Sequence, residues 1–487
     1  MRQLEVPFVR PDGSVRLWTV FVGENGTCKT TVLRAIAMAA AGDAFSNHLV
    51  GDSAAYIDRR HEHGAAVIEA GFGFSPRYHA QRAYPKVVQE MSVPPEIVAR
   101  VEVGATSVRA HANYGRWDAR EAALDAPRAA VAGVAAHWAM MAAEAAARAA
   151  GAAAAEDPAD AARWAVEAAS SAAAAEAASK VTISTPIDDA RDEDLAHWFV
   201  AGYGTGRILR VPMSLTEGAV PKRDRLKSLF DPRHLPVGTG FSDTLATTFG
   251  EDNARAYALC LRSALVSHMR TPRLDNIELR GKGGANNQVN LIESHRFVMK
   301  VGPEELRLPA IWLSQGYQAV ISLVADIIGN VWLEAGHPVK LDEMEGIVLV
   351  DELDLHLHPT WQTEIVAGLK RTFPNMQFIV TTHSPLVLAG CKADEVWTLK
   401  QDEVTGDVSA EHGQSSPMVM TGSELNREFF GIDRASPFGE HLRRYVELAS
   451  NPYRTDAEDQ LARSLLDKLH ANDIPVDYQP VPRKSVS

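Results

Sequence analysis

Cysteine is scarce in this sequence, which has three among 487 residues: Cys28, Cys260 and Cys391. Zinc sites use cysteines and histidines at short, regular spacings, whereas these three lie far apart in the chain. Disulfide-rich secreted domains carry many more cysteines. We therefore predict a cytoplasmic protein without a zinc site.

Long uncharged apolar segments and an excess of basic residues are also absent. No stretch reaches the roughly 18 apolar residues of a membrane helix, and the N-terminus lacks the pattern of a secretory signal. The formal net charge is −13, whereas proteins that coat nucleic acid are usually basic. We expect no membrane association and no uniform DNA binding. Basic clusters at 222–227 and 280–282 are interpreted as solvated loops, with local binding of nucleic acid as the alternative.

The chain alternates apolar strands with helices, which predicts an α/β fold with a mixed or parallel sheet. Residues 128–180 interrupt this alternation because they are dominated by alanine, the best helix former. We interpret them as two antiparallel helices joined near Asp157, with low-complexity disorder as the alternative. The predicted organisation has four parts: a first lobe of the α/β fold at 1–127, the helical insertion at 128–180, a second lobe at 181–400, and a C-terminal helical region and tail at 401–487.

A phosphate-binding loop is predicted after the apolar segment 17–22. Nine residues that precede a predicted helix resemble a Walker A motif: Gly23, Glu24, Asn25, Gly26, Thr27, Cys28, Lys29, Thr30 and Thr31. In such a loop the backbone N–H groups surround the phosphates, and the helix N-terminus favours their negative charge. Lys29 would contact the β- and γ-phosphate oxygens, and the Thr30 hydroxyl would bind Mg²⁺.

Cys28 stands where this motif normally has a glycine before the lysine. Glycine adopts backbone angles that strain a residue with a Cβ, and it lets the chain approach the phosphates closely. The substitution leaves two alternatives for the protein. One is a working ATPase, and the other is a nucleotide-binding scaffold with impaired catalysis.

A second set of candidate residues follows the apolar strand predicted at 346–350. Asp351 would hold Mg²⁺ through water, and Glu352 would polarise the attacking water, as in a Walker B motif. Asp354 stands at the place of a D-loop, where it would contribute to nucleotide binding. His356 and His358 come next, but two histidines without a third ligand do not predict a metal site. We interpret them as shaping the turn before the next helix.

Two further motifs have the spacing of nucleotide-contacting elements. His383 lies 32 residues after Asp351 (383 − 351), at the end of a predicted strand from which it would reach a γ-phosphate. Ser314 lies 37 residues before Asp351 (351 − 314), in a segment that opens a predicted helix. A helix N-terminus suits an anion. The candidate nucleotide-binding residues of this segment are Ser314, Gly316 and Gln318.

Together these motifs resemble, in order and spacing, the heads of ABC-type ATPases. In that class the signature motif, here 313–318, binds the γ-phosphate held by the opposite subunit. The resemblance therefore implies a homodimer or higher oligomer with ATP and Mg²⁺ as cofactors. It also makes His383 similar to the switch histidine, which would act in catalysis with Glu352.

The chain is most similar to the AAA-type ATPases of bacterial genomes that carry ABC heads. This group is related to the overcoming-lysogenization-defect proteins and includes the ATPase subunit of Septu-type anti-phage systems. The resemblance rests on 18–31, 202–207, 313–328 and 346–385, about a sixth of the chain. It implies a nuclease partner, for which we predict the HNH type, and contact with nucleic acid through that complex. Only 104 residues follow His383 (487 − 383), which we expect to be too few for a Toprim nuclease domain.

The predicted function is an ATP-gated dimer that regulates a partner effector in anti-phage defence. One alternative is an SMC-like DNA-repair ATPase, whose ATP turnover DNA would stimulate. The other is the impaired scaffold suggested by Cys28. A transporter ATPase is disfavoured for two reasons. The signature segment at 313–318 departs from the transporter pattern, and the chain carries the helical insertion at 128–180. The Q-loop is not identified, because Gln81 and 202–206 are both candidates.

Overall fold

The computed structural model of the chain describes most of its length. The described residues are 4–51, 66–73, 97–104, 108–114, 121–154, 157–179, 199–209, 222–234, 251–278, 295–402, 404–413, 415–431, 438–472 and 474–482. Gln81 and the basic cluster at 280–282 lie outside them.

The regular elements are numbered in chain order. The strands are β1 (Trp18–Val22), β2 (Ala66–Phe72), β3 (Ile97–Val103), β4 (Val108–Tyr114), β5 (Val200–Tyr203), β6 (Leu274–Glu278), β7 (Arg296–Val301), β8 (Glu304–Leu308), β9 (Gly346–Val350), β10 (Met376–Thr381), β11 (Val396–Gln401) and β12 (Val408–His412). The α-helices are α1 (Lys29–Val50), α2 (Glu121–Ala154), α3 (Pro158–Ser179), α4 (Glu251–Arg262), α5 (Gln315–Ala335), α6 (Pro359–Gln362), α7 (Ile365–Thr372), α8 (Gly422–Phe430), α9 (Gly439–Ser450) and α10 (Asp456–His470).

The described strands form three sheets. One has the order β12-β11-β1-β10-β9-β5, and the others are the antiparallel sheets β2-β3-β4 and β6-β7-β8. Strand β1 is parallel to β11 and β5 is parallel to β9, whereas β12 is antiparallel to β11. All five residues of β1 are buried, as expected for a parallel strand covered on both faces. The fold is therefore α/β with a mixed sheet, which confirms the predicted class.

By its internal contacts the chain separates into two compact units. The first comprises Met1–Lys29, Glu352–Arg371 and Val380–Ser487, and the second comprises Thr30–Asp351 and Thr372–Ile379. The division falls between Lys29 and Thr30 and again between Asp351 and Glu352. Each of the two Walker motifs therefore contributes residues to both units.

In the first unit, the C-terminal helices form a core of their own. Helices α9 and α10 bury Tyr445, Leu448 and Leu469 between them. Helix α10 begins with a capping box in which Thr455 and Glu458 each bind the backbone N–H of the other, and α8 begins in the same way. Two short helices, α6 and α7, follow the turn after β9.

In the second unit, α5 is buried on almost all sides. Polar residues at four-residue intervals are buried together with the apolar ones: Ser322, Asp326, Asn330 and Glu334. The Tyr203 hydroxyl donates to Asp326 at 2.7 Å, and burial raises the pKa of Tyr203 well above its ordinary value, so this donor keeps its proton. Asp326 and its hydrogen-bond partners Tyr203 and Asn330 therefore extend the buried surface around the helix.

Helix α5 is also the only helix in the described ranges that is long and apolar enough to cross a membrane by length and composition. Of its most apolar window, 83% is buried inside the protein. Buried core helices meet the same criterion of length and composition.

The interpretation of 222–227 as a solvated loop was wrong. Residues Lys222–Leu229 form a 3₁₀ helix. The side chains of Arg225 and Glu334 form an ion pair at 2.6 Å and are only 6% and 2% exposed. The Arg225 guanidinium also lies 5.5 Å from the centre of the Phe199 ring. This basic residue therefore has a structural partner, the C-terminal part of α5.

The alanine-rich segment forms the predicted pair of helices, α2 and α3, although α2 already begins at Glu121, before the predicted start at 128. Pro158 opens α3, and the Asp157 carboxylate accepts the N–H of Asp160 at 3.1 Å. Small side chains are buried in this hairpin, including Ala145 and Ser171, whereas Trp138 and Met140 are exposed. Arg148 on α2 lies 4.6 Å from the centre of the Trp164 ring on α3, so larger side chains also take part in the contact between the two helices.

Candidate nucleotide-binding site

The predicted phosphate loop connects β1 to α1, and its glycines are required by the backbone. Gly23 has φ +147°, and a Cβ there would collide with the carbonyl oxygen of Leu399. Gly26 has φ +87°. The Thr27 hydroxyl closes the turn by donating to the Glu24 carbonyl at 2.8 Å. The loop thus has the tight, glycine-dependent path expected from its sequence.

Lys29 points back into this loop. Its ammonium group donates to the carbonyl oxygens of Gly23 at 2.9 Å and Glu24 at 2.7 Å, and the residue is 6% exposed. A buried ammonium needs such acceptors because removal from water is costly. Phosphate oxygens are acceptors of the same kind and carry more charge, so this position of the ammonium suits phosphate binding.

Cys28 has φ +64°, in the left-handed region that favours glycine. A non-glycine residue held there at a functional site is strained by roughly 1–3 kcal/mol. The Cys28 thiol is partly exposed and lies 3.8 Å from the Gly26 carbonyl oxygen. The structure therefore bears out the argument that a glycine would fit this position better.

In the second unit, the Walker A threonine meets the Walker B aspartate. The Thr30 hydroxyl lies 3.0 and 2.9 Å from the two carboxylate oxygens of Asp351, a residue 321 positions away in the chain. Asp351 is 6% exposed. Mg²⁺ prefers hard oxygen ligands and usually takes one or two from the protein, the rest coming from phosphate and water. Thr30 and Asp351 therefore fit a Mg²⁺ site.

The backbone of Asp351 is fixed by the segment after β5. Its N–H donates to the Tyr203 carbonyl at 2.8 Å, and its carbonyl accepts a hydrogen bond from the buried guanidinium of Arg207. Arg207 also donates to the Gly204 carbonyl at 2.7 Å. A Cβ at Gly204 would collide with the carbonyl oxygen of Ser228. One of the two Q-loop candidates, 202–206, thus lies beside the Walker B aspartate, and Arg207 is a contact that the sequence analysis missed.

In the first unit, Glu352 follows this aspartate with φ +48°, a second left-handed residue with a Cβ. Its N–H donates to the Thr381 hydroxyl at 2.8 Å. The next N–H, that of Leu353, donates to the Thr381 carbonyl at 2.9 Å. The candidate general base therefore sits in a backbone turn held by the end of β10.

Asp354 and His383 are joined by hydrogen bonds. The Asp354 carboxylate accepts the Thr382 hydroxyl at 2.6 Å and the N–H of His383 at 3.2 Å. The Ser384 hydroxyl donates to Gln362 at 2.7 Å, which holds the other end of this turn. His383 itself is exposed. The structure thus shows Asp354 holding the histidine segment, and its contact with a nucleotide stays a prediction.

The neighbouring histidines shape the turn, as predicted. His356 has φ +65°, and His358 caps α6, where its ring nitrogen accepts the N–H of Thr360. Groups of three or more potential metal ligands from His, Cys, Asp and Glu are absent from the described part of the chain.

The signature segment precedes α5. Ser314 is exposed at the N-cap of this helix, and its hydroxyl makes no capping hydrogen bond. Gly316 is buried. The Gln318 side chain donates to the carbonyls of Ile311 at 3.1 Å and Leu313 at 2.8 Å, so it holds the preceding turn. Ser314 therefore offers a hydroxyl beside an open helix N-terminus, whereas Gln318 has an internal role.

Comparison with known families identifies this region. Residues 278–389 match the family described as "AAA domain, putative AbiEii toxin, Type IV TA system". This part of the chain is an AAA-type ATPase domain. The match contains Ser314, Asp351, Glu352 and His383 and ends before the C-terminal helices.

The chain is homologous to a Septu protein and to a probable retron ATPase. The Septu protein PtuA of Bacillus mycoides (strain KBAB4) is 38% identical over 161 residues, which cover 32% of this chain and 22% of that protein. The retron Ec83 probable ATPase of Escherichia coli is 43% identical over 103 residues, which cover 21% of this chain and 19% of that protein. The chain thus spans about a fifth of the length of these curated relatives.

Among solved structures, SMC head domains align with most of the chain. The SMC head bound to the C-winged helix domain of ScpA aligns with a TM-score of 0.38 and 12% identity over 83% of this chain and 92% of that chain. The SMC head domain from Thermotoga maritima aligns with a TM-score of 0.34 and 13% identity over 81% of this chain and 90% of that chain.

Proposed function

We propose that this protein is an ABC-type ATPase whose nucleotide-gated dimer regulates a partner effector in anti-phage defence. The observation that carries the proposal is the pair of hydrogen bonds between Thr30 and Asp351. In P-loop ATPases the residues at these two positions share one Mg²⁺. Their approach supports a nucleotide site built from both Walker motifs.

Lys29 adjoins Thr30 in the chain, and Glu352 adjoins Asp351, so the phosphate-binding and the Mg²⁺-binding residues are covalent neighbours. Lys29 would neutralise the β- and γ-phosphates, and Thr30 and Asp351 would hold Mg²⁺. The ion, when bound, supplies charge stabilisation to the phosphates.

Hydrolysis would depend on two further side chains. Glu352 would accept a proton from the attacking water, and His383 would contact the γ-phosphate. Asp354 supports this role of His383 because it binds the backbone of that residue. These assignments follow the pattern of ABC-type ATPases.

Dimerisation is proposed from the signature segment. Ser314 is exposed beside the N-terminus of α5, where backbone N–H groups and the helix dipole favour an anion. In an ABC dimer that anion is the γ-phosphate bound by the second copy. The dimer would then form when ATP is bound and separate after hydrolysis.

The partner is proposed from the homology to Septu PtuA. We propose a nuclease encoded alongside, of the HNH type, as the effector and the cytoplasm as its location. Nucleic acid would be contacted through the complex, because the net charge of −13 does not favour binding by this chain alone.

A second candidate function is favoured by Cys28. Its left-handed backbone strains the phosphate loop, so the chain would bind nucleotide weakly and act as a scaffold without turnover. Measurement of ATP hydrolysis by the native protein with Mg²⁺ separates the two candidates. Phosphate release that disappears in Lys29→Ala supports the ATPase, and its absence from the native protein supports the scaffold.

The dimer is tested with Glu352→Gln and light scattering. This variant keeps the phosphate-binding residues and loses the base, so we expect it to trap ATP and raise the dimer fraction. Adding Ser314→Arg should abolish the trapped dimer, through steric and like-charge conflict with the facing loop. Glu428→Gln and Ser409→Arg, at exposed positions outside the proposed site, are the matched controls. A dimer that persists in the Ser314→Arg background would refute the signature contact.

A further inference from the structure

The backbone at Glu352 needs support from its surroundings. Its φ of +48° lies in a region that residues with a Cβ rarely occupy. Such conformations persist only where neighbouring groups fix them. Partners of the main-chain groups on the two sides of this residue are therefore what holds its conformation.

Thr381 supplies two of these partners within the first unit. Its hydroxyl accepts the N–H of Glu352 at 2.8 Å, and its carbonyl accepts the N–H of Leu353 at 2.9 Å. These two N–H groups lie on either side of the Glu352 Cα atom. Thr381 is 1% exposed at the end of β10, so its hydroxyl is held in place by the surrounding core.

The next threonine has a different partner. The Thr382 hydroxyl donates to Asp354, which also accepts the N–H of His383. The two consecutive threonines therefore contact different residues of the turn after β9: Thr381 binds Glu352 and Leu353, and Thr382 binds Asp354. In the second unit, the carbonyl of Asp351 just before this turn is bound by Arg207.

We propose that Thr381 is a positioning residue for Glu352. It fixes the left-handed backbone of Glu352, and with it the direction in which the carboxylate leaves the chain towards the attacking water. This inference rests on the proposed ATPase function. It adds a residue of β10 that does not itself contact nucleotide and acts through the general base.

The test compares Thr381→Val with Thr381→Ser in the full chain. Valine keeps the branched shape of threonine and lacks the hydroxyl, whereas serine keeps the hydroxyl. We expect Thr381→Val to lower kcat by about ten- to a hundredfold, because small misplacements of catalytic groups have effects of that size. The Kd for a non-hydrolysable ATP analogue should stay within about twofold, since Lys29, Thr30 and Asp351 are unchanged.

A matched control is available in the same unit. Thr19 on β1 is 0% exposed, and among the described residues its hydroxyl has no hydrogen-bond partner. Thr19→Val therefore makes the same change in a buried strand without removing a hydrogen bond. It should keep the native kcat and the native Kd.

Hydrogen exchange gives a readout that does not depend on turnover. The N–H of Glu352 is protected by its bond to Thr381, so Thr381→Val should speed its exchange in protein without nucleotide. Thr381→Ser and Thr19→Val should keep the native exchange rate. If the valine variant fails to fold, Thr381→Cys replaces it, because sulfur is a weak acceptor.

The outcomes separate this inference from the proposed function. Lower kcat and faster exchange in Thr381→Val, both restored in Thr381→Ser, would support the positioning role. Native kcat and exchange in Thr381→Val would overturn it while leaving the ATPase proposal intact. Equal losses of ATP affinity and turnover would also overturn it, in favour of a general structural role. A native protein with no more turnover than Lys29→Ala would overturn the ATPase proposal and this inference together.

Discussion

Replacing Cys28 by glycine measures the strain in the phosphate loop. Cys28 has φ +64°, and this left-handed conformation costs an L-residue roughly 1–2 kcal/mol. Glycine removes that strain, but its greater freedom in the unfolded chain costs roughly 0.5–1 kcal/mol. From the difference, we expect Cys28→Gly to raise the free energy of unfolding by about 0.5–1 kcal/mol, as measured by chemical denaturation.

Strain that arises only when the loop closes on phosphates would instead change the affinity for ATP. At functional sites such strain amounts to roughly 1–3 kcal/mol, which corresponds to a five- to about a hundredfold lower Kd in Cys28→Gly. Strain that is already present in the folded loop without ATP changes the free energy of unfolding and leaves less strain to change the affinity for ATP. Calorimetry with ATP and Mg²⁺ measures the change in affinity. In the same assay, Lys29→Ala should bind ATP more weakly than the native protein.

Cys28→Ser is the matched control because serine keeps a Cβ of similar size at the same φ. It should match the native protein in both measurements. Suppose instead that the native protein binds ATP tightly and that Cys28→Gly improves neither Kd nor stability. The loop would then accept cysteine without strain, and the impaired-scaffold alternative would lose its basis.

Two further predictions concern buried ionisable side chains of the second unit. Glu334→Ala should lower the free energy of unfolding by about 3–5 kcal/mol, because Arg225 is left buried without its partner. Urea denaturation measures this loss, and Glu343→Ala, at an exposed position, is the control. A loss in Glu334→Ala no larger than that in Glu343→Ala would contradict the prediction. Burial lowers the pKa of His295 from its ordinary 6.5 to about 4. Between these values the unfolded chain binds more protons, so stability falls as the pH drops from 6.5 towards 4. Denaturation at several pH values should show a shallower fall in His295→Gln, and an unchanged slope would refute the assignment.

The phosphate loop and the Walker B strand were predictable from the sequence because their signals are local. Glycines at fixed positions mark the loop, and an unbroken apolar run before two acids marks the buried strand. The meeting of Thr30 with Asp351 then follows from the pattern that these motifs share with P-loop ATPases. The helical hairpin was predictable for a similar reason, since its alanine content is a property of composition.

The contacts that support the site were not predictable in the same way. Arg207 and Thr381 bind main-chain atoms of residues far away in the sequence, and main-chain partners leave no pattern of residue types. The polar residues of α5 recur on one side of the helix, and that spacing does not reveal what covers them. Arg225 was assigned to a solvated loop because it belongs to a cluster of basic residues. Its partner Glu334 lies 109 positions away in the sequence.

The hairpin of α2 and α3 has a consequence for how its sequence can vary. Small side chains such as Ala145 and Ser171 are buried in it, and Arg148 of α2 lies over the Trp164 ring of α3. Outward positions such as Trp138 are then free to change without unfolding the hairpin. A bulky residue at position 145 would wedge the helices apart. We therefore expect libraries of variants to show strict limits on side-chain volume along the inner seam and wide tolerance elsewhere on the hairpin.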